Sequence, residues 1–549
     1  MKIFKVLIVL VIFVILGAVG FYLFSPTYKK DENEGKLNLV LNYTNVTSKM
    51  DNSVFVENND VYLSIKDIDT YYDKYIYYDA ESNCIIISKD DKSVCFDISA
   101  ETIDINGNKE SAKVISRDGT KYIPITKLEE VYNIKVYNNS DKNFIVIDSL
   151  DRKLETAEVT KNTKVRYKRT TFSRNLEKVR SGDKVAIVPN QTNAKGYTYV
   201  RTSTGRLGYI KSNCLSKSTV EREATEEQKN DKKISLVWET FEYSAPKVDS
   251  STVYDGVNVV SPTFLYMDGE NVKDKMDDNG RNYVKWAKSK NYEVWAVITN
   301  NNYSEEKEAA FSTWINSYEK RKNVINQIVQ SAKKYDFDGI NIDFENIKLK
   351  DKDSLSRFII ELKPALKKEG ISLSVDVTEP DGSENWSLCF DRKVIGDVSD
   401  YIVFMAYDQF GRGSSKAGPT AACYWVERNI NKFIQQEEVK PEKIILGIPF
   451  YTILWKEKDG VASGTSILQK SINNNIPSNV EKTWLEDSKQ DYVEYEKGGY
   501  TYKMWIEDTK ATSNKLDYID QYNLAGAGFW AKGYEDKSVW SIVKEKLLN

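Results

Sequence analysis

Apolar and polar positions follow a regular pattern along residues 233–549. Short apolar runs, typical of buried strands, occupy residues 234–238, 257–261, 294–299, 339–344, 372–377, 401–406, 444–447 and 525–529. Between several of them apolar residues recur every three or four positions, which indicates amphipathic helices, as at Val324, Ile325, Ile328, Val329 and Ala332. Eight such alternations of strand and helix predict an α/β fold, the (β/α)8 or TIM barrel, with an insertion near residues 455–522 before the last strand.

Residues 37–148 contain an internal repeat. Apolar and aromatic positions between 62 and 87 recur at a constant offset of 60, so that Tyr62 corresponds to Tyr122 and Ile85 to Ile145. Each copy predicts a strand, a short helix, a strand, a turn and a strand, and two copies should share one sheet or stack. The small α+β domain so formed resembles the one named after the N-terminus of copper amine oxidases. This resemblance implies a spacer or wall contact and no chemistry.

Residues 154–217 alternate short β runs with turns and predict a small all-β barrel. Val165-Arg166 near its start and the Gly-x-x-Gly-Tyr-Ile sequence from Gly205 resemble bacterial Src-homology-3-like barrels that bind cell walls. Residues 161–217 hold 14 Lys or Arg and two acids, a net charge of +12, although the whole chain has a net charge of −3. Such a block favours an anionic wall polymer, teichoic acid or peptidoglycan carboxylate, over nucleic acid. A charged linker is predicted at residues 218–232.

The N-terminus predicts a location outside the cytoplasm. Lys2 and Lys5 precede an uncharged, mostly apolar run of 19 residues, 6–24, which at about 1.5 Å per residue nearly crosses a hydrocarbon core of about 30 Å. We expect residues 1–24 to form a membrane anchor with the rest of the chain outside the cell. The alternative is a cleaved signal peptide, with a small-residue site at residues 18–20, and secretion to the wall.

Composition restricts the possible chemistry. The chain has no histidine, which excludes Ser-His-Asp and Cys-His catalysis as well as histidine-ligated zinc or copper. Its five cysteines lack metal-ligand spacing, and Cys84 and Cys95 could pair across a hairpin or stay buried thiols. We expect no metal and no other cofactor, so that catalysis must use carboxylates, hydroxyls, amides or lysines.

Acidic residues occupy one face of the fourth predicted strand. The chain from residue 338 to 345 has the sequence Asp-Gly-Ile-Asn-Ile-Asp-Phe-Glu. Because strand residues two apart share a face, Asn341, Asp343 and Glu345 should point together into the barrel mouth. Crowding raises the proton affinity of one carboxyl, which suits a general acid, while its partner stays an anion. A solvated strand end with ordinary surface acids fits poorly, because the alternate positions are apolar.

This run resembles the Asp-Gly-x-x-x-Asp-x-Glu signature of glycoside hydrolase family 18. Met405-Ala406-Tyr407-Asp408 and Gly528-Phe529-Trp530 are similar to the sixth-strand and last-strand motifs of that family. The resemblance covers about 317 residues, and the motifs at residues 258–262, 407–409 and 447–451 are similar to the spore-cortex and wall-lytic branch rather than to chitinases.

The resemblance implies a role for each motif residue. Glu345 would protonate the glycosidic oxygen, and Asp343 would orient and stabilise the substrate's acetamido group as that group attacks the anomeric carbon. Tyr407 would hydrogen-bond the acetamido oxygen, Asp408 would contact the sugar or the acid pair, and Trp530 would form the floor of the −1 subsite. This is the substrate-assisted variant of glycosidase chemistry.

Other residues of the motifs have less direct roles. Classical chitinases carry Asp at the position of Asn341, where it shares a proton with the next carboxylate. An amide cannot do so, although we do not interpret this as a loss of activity. Asn341, Met405 and Tyr451 are assigned to substrate binding. Asp338 lies on the opposite face of the strand, and it and Gly339 are assigned a structural role. Three further aromatic residues near strand ends could form a sugar-stacking cleft or pack in the core: Trp238, Trp295 and Trp455.

Three functions are compatible with these features. The first is an N-acetylglucosaminidase that cleaves peptidoglycan of the cell wall or spore cortex with retention of configuration. The second is a chitinase, which would use the same chemistry on chitin, and the third is a non-catalytic protein that only binds glycan. Asp343 and Glu345 are both present, which favours an enzyme. The bulk of muramic acid favours N-acetylglucosamine in the −1 subsite.

Overall fold

The computed structural model describes residues 2–24, 33, 35–191, 196–225 and 232–548, and the side chains of the first helix at residues 8 and 10–20 only. Two units divide the chain. One comprises Met1–Tyr78, Asn83–Lys89 and Val94–Lys229, and the other comprises Asp79–Ser82, Asp90–Ser93 and Asn230–Asn549. The apolar N-terminal run forms helix α1, Lys2–Phe24. The predicted membrane span is not supported, since no helix within the described residues is long and apolar enough to cross a bilayer.

Residues 37–148, which we call the repeat segment, fold into three small sheets. Its helix α2 is Ile65–Tyr71, and its strands β1–β13 are Asn38–Leu41, Thr44–Asn45, Phe55–Glu57, Asp60–Ser64, Tyr77–Asp79, Cys84–Lys89, Lys92–Asp97, Thr102–Ile105, Asn108–Ser111, Ile115–Arg117, Thr120–Pro124, Ile134–Asn139 and Phe144–Ser149. The strand orders are β12-β13-β1-β2, β10-β11-β4-β3 and β5-β6-β7-β8-β9. The first strands of the two copies pair antiparallel with Leu63 opposite Ile123, so the copies share a sheet through equivalent residues. The helix of the second copy is a 3-10 turn, Ile125–Leu128.

Residues 154–217, which we call the basic segment, form one antiparallel sheet of seven strands together with the start of the predicted linker. Strands β14–β20 are Leu154–Glu158, Thr163–Arg166, Asn175–Val179, Lys184–Ile187, Tyr197–Thr202, Leu207–Lys211 and Thr219–Arg222. Their order is β16-β15-β19-β18-β17-β14-β20, around a core that includes Val165, Val185 and Ile210. Because β20 pairs with β14, the first part of the predicted linker belongs to this sheet. Residues 226–231 of that linker lie outside the described residues. The Src-homology-3-like resemblance stays a prediction.

All eight predicted barrel strands are present and parallel. They are β21 Ile234–Glu239, β22 Val259–Pro262, β25 Glu293–Thr299, β26 Gly339–Asp343, β27 Ser372–Val377, β28 Tyr401–Met405, β29 Ile444–Pro449 and β35 Gly526–Trp530. The ring closes where β22 pairs with β25 and β21 pairs with β35. A hairpin, β23 Leu265–Asp268 and β24 Asn271–Asp274, extends the sheet. The predicted TIM barrel is therefore confirmed.

Helices cover the outside of the barrel. Helices α3–α10 are Asp278–Ser289, Glu305–Ile315, Tyr318–Tyr335, Lys352–Lys368, Arg392–Val398, Cys423–Gln435, Thr509–Gln521 and Val539–Leu547. The predicted stripe of α5 is buried at Val324, Ile328 and Ala332, and these side chains join one apolar core with the outward faces of the strands. Burial of such a stripe, more than helix propensity, stabilises a helix of this kind.

The insertion before the last strand is a separate antiparallel sheet. Its strands β30–β34 are Tyr451–Lys458, Val461–Leu468, Thr483–Leu485, Gln490–Lys497 and Tyr500–Trp505, in the order β31-β30-β34-β33-β32. The insertion ends at Trp505 rather than near residue 522, because α9 is a regular barrel helix with Leu516 and Ile519 in the barrel core.

Candidate active site

Side chains along strand β26 and the residues after it alternate between two environments, as the alternation of apolar and polar residues predicts. Ile340 and Ile342 are wholly buried among the outer helices. Asp343 and Glu345 instead face a pocket of about 190 Å³. The residues that line it are Asp343, Glu345, Asp376, Trp386, Met405, Tyr407, Asp408, Tyr451 and Trp530. They come from the carboxyl ends of several strands and the segments that follow, which is where barrel enzymes place their chemistry.

Asn341 does not line the pocket. The structure places it one layer below, wholly buried, where its Oδ1 accepts a hydrogen bond from Trp238 Nε1 at 2.9 Å and its Nδ2 donates to Asp376 Oδ1 at 2.7 Å. Substrate contact was predicted for Asn341. Its position instead allows it to hold a neighbouring carboxyl in place, because its amide can donate to that carboxyl and accept from the indole at once.

Asp376, on β27, belongs to the site, although no motif in the sequence predicts it there. It is 3% exposed and lines the pocket beside Asp343 and Glu345. Burial and the charge of Glu345 raise the pKa of Asp376 to about 8, against the effect of the hydrogen bond from Asn341. One feature of the sequence could have identified it. Asp376 is the only acid in the mostly apolar run 372–377, and it lies on the same face of the strand as Ser374.

The carboxyls of this cluster have pKa values raised above their ordinary values. Burial, followed by the charges of Glu345 and Asp376, raises the pKa of Asp343 well above its ordinary value. Burial and the charge of Asp408 raise the pKa of Glu345. Since close carboxylates in a desolvated pocket cannot all ionise, the site can supply a proton donor and still keep an anion beside it.

Asn300 fixes the backbone at Glu345. Its Nδ2 donates to the carbonyl oxygen of Glu345 at 2.7 Å, and its Oδ1 accepts from the amide nitrogen of Glu345 at 3.2 Å. Asn300 follows β25 and is buried, so this bidentate contact ties the segment after one strand to the segment after the next. No sequence motif marks Asn300 as a residue of the site.

Two tyrosines and an acid form another wall of the pocket. Tyr451 donates a hydrogen bond to Asp408 Oδ1 at 2.5 Å, and its ring meets that of Tyr407 edge to face at 6.4 Å. Asp408 as a residue is exposed, but its carboxyl faces the pocket and desolvation raises its pKa. Burial raises the pKa of Tyr407 well above its ordinary value, so its hydroxyl stays a hydrogen-bond donor.

The aromatic residues near the strand ends have different environments. Trp530 is half-buried and lines the pocket. Three tryptophans considered for a sugar-stacking cleft are at most 1% exposed and pack in the interior, where no sugar could reach them: Trp238, Trp295 and Trp455.

Two aromatic residues beside the site were not predicted. Trp386 lies in a π-helical turn, Glu384–Leu388, and lines the pocket. Tyr303 is 81% exposed, but partial burial of its hydroxyl and the charges of Asp343 and Glu345 raise its pKa, so the hydroxyl lies near the acids. Both follow barrel strands at the carboxyl end, and no periodic pattern marks such loop residues.

Asp338 and Gly339 lie away from the pocket. Asp338 Oδ1 accepts from Lys288 Nζ at 2.5 Å, and its Oδ2 accepts from the amide nitrogen of Val294 at 2.8 Å, which ties the start of β26 to its surroundings. A Cβ at Gly339 would lie 2.5 Å from the ring of Trp295, so only glycine fits there. Across the described ranges, no group of three or more His, Cys, Asp or Glu could hold a metal ion.

A parallel barrel with a cluster of carboxyls of raised pKa beside aromatic rings is typical of the glycosidase class. The sequence model of glycosyl hydrolases family 18 matches residues 225–535, more than half of the chain. The chain therefore belongs to glycosyl hydrolases family 18. Residues 40–147 match the model of the copper amine oxidase N-terminal domain.

Individual relatives agree with this assignment. The chain is 29% identical over 274 residues to an uncharacterized glycosylase, YvbX, of Bacillus subtilis (strain 168), covering 48% of this chain and 77% of that one. It is 21% identical over 269 residues to the cortical fragment-lytic enzyme of the same organism, covering 47% and 61%. A solved chitinase from Chromobacterium violaceum ATCC 12472 superposes with a TM-score of 0.50 at 22% identity, over 58% of this chain and 99% of that one, and shows the shared fold.

Proposed function

We propose that this protein is an N-acetylglucosaminidase that cleaves peptidoglycan by a substrate-assisted, retaining mechanism. The observation that carries the proposal is the placing of Asp343, Glu345 and Asp376 in one pocket with Tyr407 and Trp530. A relative with the name cortical fragment-lytic enzyme supports a wall substrate, and so does the basic segment. The predicted extracytoplasmic location is part of the same proposal.

The first step breaks the glycosidic bond. The proton of the Glu345 carboxyl goes to the glycosidic oxygen, and the bond from that oxygen to the anomeric carbon breaks. The carbonyl oxygen of the substrate's own acetamido group bonds to the anomeric carbon and gives a cyclic oxazolinium ion. Tyr407 donates a hydrogen bond to that oxygen, and Trp530 supports the sugar ring.

Asp343 balances the charge of this intermediate. The positive charge on the acetamido nitrogen favours the ionised form of Asp343, while Asp376, with a pKa of about 8, keeps its proton. Asn341 holds Asp376 through the hydrogen bond at 2.7 Å. In the second step the Glu345 carboxylate takes a proton from water. The water oxygen bonds to the anomeric carbon as the bond from that carbon to the acetamido oxygen breaks, which gives overall retention of configuration.

Replacing Glu345 by Gln tests the assignment of the acid. The amide keeps the size of the side chain and cannot donate the proton, so hydrolysis of purified sacculi should fall by about 10² to 10⁴-fold. Glu481→Gln, the same change at an exposed site, is the control and should leave the rate unchanged. If Glu345→Gln keeps a tenth of the activity, Glu345 is not the acid.

The identity of the −1 sugar tests the mechanism. Since the nucleophile belongs to the substrate, removal of the N-acetyl group from that glucosamine should stop cleavage almost completely. Mass spectrometry of borohydride-reduced digests should show reduced N-acetylglucosamine at the new ends. Reduced muramic acid ends, or efficient cleavage at free glucosamine, would contradict the bond and the mechanism. Faster turnover of chitin than of sacculi would favour the chitinase alternative.

The basic segment is the second part of the proposal. Its net charge of +12 between residues 161 and 217 supports binding to an anionic wall polymer. Such binding should weaken as salt shortens the screening length from about 10 Å at 0.1 M to about 3 Å at 1 M. Pelleting of the protein with sacculi across this range of salt measures the effect, and binding that does not depend on salt would contradict it.

A further inference from the structure

A second pocket lies in the N-terminal unit, between the repeat segment and the basic segment. Its volume is about 630 Å³, larger than that of the pocket at Glu345. The basic segment contributes Tyr167, Lys168, Arg169, Tyr199 and Tyr209 to its walls. The repeat segment contributes Asn45 and Phe144. The composite pocket, as we call it, therefore belongs to both segments.

The composite pocket combines aromatic surface with positive charge. The rings of Tyr199 and Tyr209 pack at 4.7 Å, and the guanidinium of Arg169 lies 5.3 Å from the centre of the Tyr209 ring. Tyr167 and Lys168 are exposed beside them. No acidic residue is among the described residues of its lining. Flat rings complement a sugar face, and the cations complement a carboxylate.

Buried contacts hold the two segments together around this pocket. Arg201 of the basic segment forms a bidentate ion pair with Asp148 of the repeat segment, both distances being 2.6 Å and both side chains at most 8% exposed. Asn139 Nδ2 donates to the carbonyl oxygens of Ser203 and Thr204 at 3.1 and 3.2 Å. Because a buried ion pair holds its two partners in one arrangement, the walls of the pocket are largely in place before any ligand binds.

The basic segment also packs closely on apolar side chains of the repeat segment. A Cβ at Gly205 would lie 2.7 Å from Val146 Cγ2, and Phe144 lies under the guanidinium of Arg206 at 4.5 Å. Leu207 packs on the cluster of Val40, Phe144 and Val146. The repeat segment is thus a wall of the pocket and not only a spacer.

We propose that the composite pocket binds an anionic muropeptide unit of peptidoglycan, with its sugar on the tyrosines and its carboxylate at Lys168 and Arg169. This inference rests on the proposed wall function and names the site at which the wall is held. A polyol phosphate chain also carries negative charge, but it has no flat apolar face for three tyrosine rings. The aromatic surface therefore favours the glycan over teichoic acid.

The test measures binding of the full-length chain, carrying Glu345→Gln so that the probe is not digested, to sacculi freed of teichoic acid. The double variant Lys168→Glu with Arg169→Glu should lose at least about tenfold in affinity, since two charge-assisted hydrogen bonds disappear. The matched control is Lys164→Glu with Lys178→Glu, which makes the same charge change at two exposed residues paired across β15 and β16, outside the pocket. An equal loss in both double variants would show diffuse attraction and overturn the proposal.

Two further measurements separate the ligand class and the two sites. Tyr167→Ala, at an exposed ring, should weaken binding severalfold, and soluble muropeptides should compete better than poly(glycerol phosphate) at equal anionic charge. Unchanged binding by Tyr167→Ala, or stronger competition by the phosphate polymer, would contradict the glycan assignment. With Glu345 restored, the pocket variants should hydrolyse a soluble N-acetylglucosamine oligomer at the rate of the unmodified chain. A failure of the catalytic proposal would therefore be distinct from a failure of this one.

Discussion

Replacing Asn341 by Asp should make the stability of the barrel depend strongly on pH. In the native chain the amide donates to Asp376 Oδ1 at 2.7 Å and accepts from Trp238 at 2.9 Å, in a wholly buried position. An aspartate there keeps the acceptor and loses the donor. The two adjoining carboxyls can then stay in contact only while at least one of them holds a proton.

The size of the effect follows from this geometry. Two carboxylates in hydrogen-bond contact have charge centres about 4 Å apart, and at an effective dielectric constant of about 20 they repel by about 4 kcal/mol, or about 3 pKa units. In the native chain the pKa of Asp376 is about 8, so at pH 7 its carboxyl holds a proton that it can donate to the added aspartate. The repulsion raises the folded pKa of Asp376 further, so stability relative to the native chain is kept below about pH 8 and falls by about 1.4 kcal/mol per pH unit above it. At pH 10 the variant should be less stable than the native chain by about 3 kcal/mol, with little difference at pH 7.

Tryptophan fluorescence offers a selective assay. All 11 tryptophans lie between residues 238 and 540, so urea unfolding followed by this signal reports on the barrel alone. The double variant Asn341→Asp with Asp376→Asn exchanges the acid and the amide, and it should recover most of the native pH dependence. Equal pH dependence in the single variant and the native chain, or no recovery in the exchange, would refute the predicted repulsion between residues 341 and 376.

Two other substitutions test contacts at separate places. Tyr451→Phe removes the hydrogen bond that lowers the pKa of Asp408. The acid limb of the pH–rate profile should therefore move to higher pH, and kcat/KM should fall about tenfold. An unchanged profile would show that Asp408 takes no part in catalysis. Asp148→Asn leaves Arg201 buried without its carboxylate and should destabilise the N-terminal unit by about 3 to 5 kcal/mol. Calorimetry should show the unfolding transition of the N-terminal unit at a lower temperature, while the tryptophan signal of the barrel stays unchanged. A common shift of both transitions would contradict the assignment of the ion pair to one unit.

Local pattern was sufficient for the barrel and for part of its site. The positions of Asn341 and Asp343 on one face of β26, with Glu345 two residues further on, follow from the two-residue period of a strand, which needs no knowledge of the rest of the fold. The eight strands were predicted because buried parallel strands are continuous apolar runs. Neither argument could place Asp376, because its contact with Asn341 depends on the register in which β27 pairs with β26.

Side chains of one type had different environments, which composition could not distinguish. Trp238 and Trp295 fill the barrel interior, whereas Trp386 and Trp530 line the pocket. Trp238 and Trp530 both lie at the carboxyl end of a strand, so position in the strand does not distinguish a buried ring from one that lines the pocket. The difference arises from which loops and neighbouring strands cover each ring, and those are distant in the chain.

The N-terminal unit shows the same division. The sequence alone determined the 60-residue repeat and the net charge of +12, since offsets and charges are properties of the chain as written. Only the tertiary structure placed Phe144 of the repeat segment in one pocket with Tyr199 and Tyr209 of the basic segment. The physical reason is that periodicity is set by each residue's immediate neighbours, whereas the packing of two segments depends on buried contacts such as that of Arg201 with Asp148, 53 residues apart.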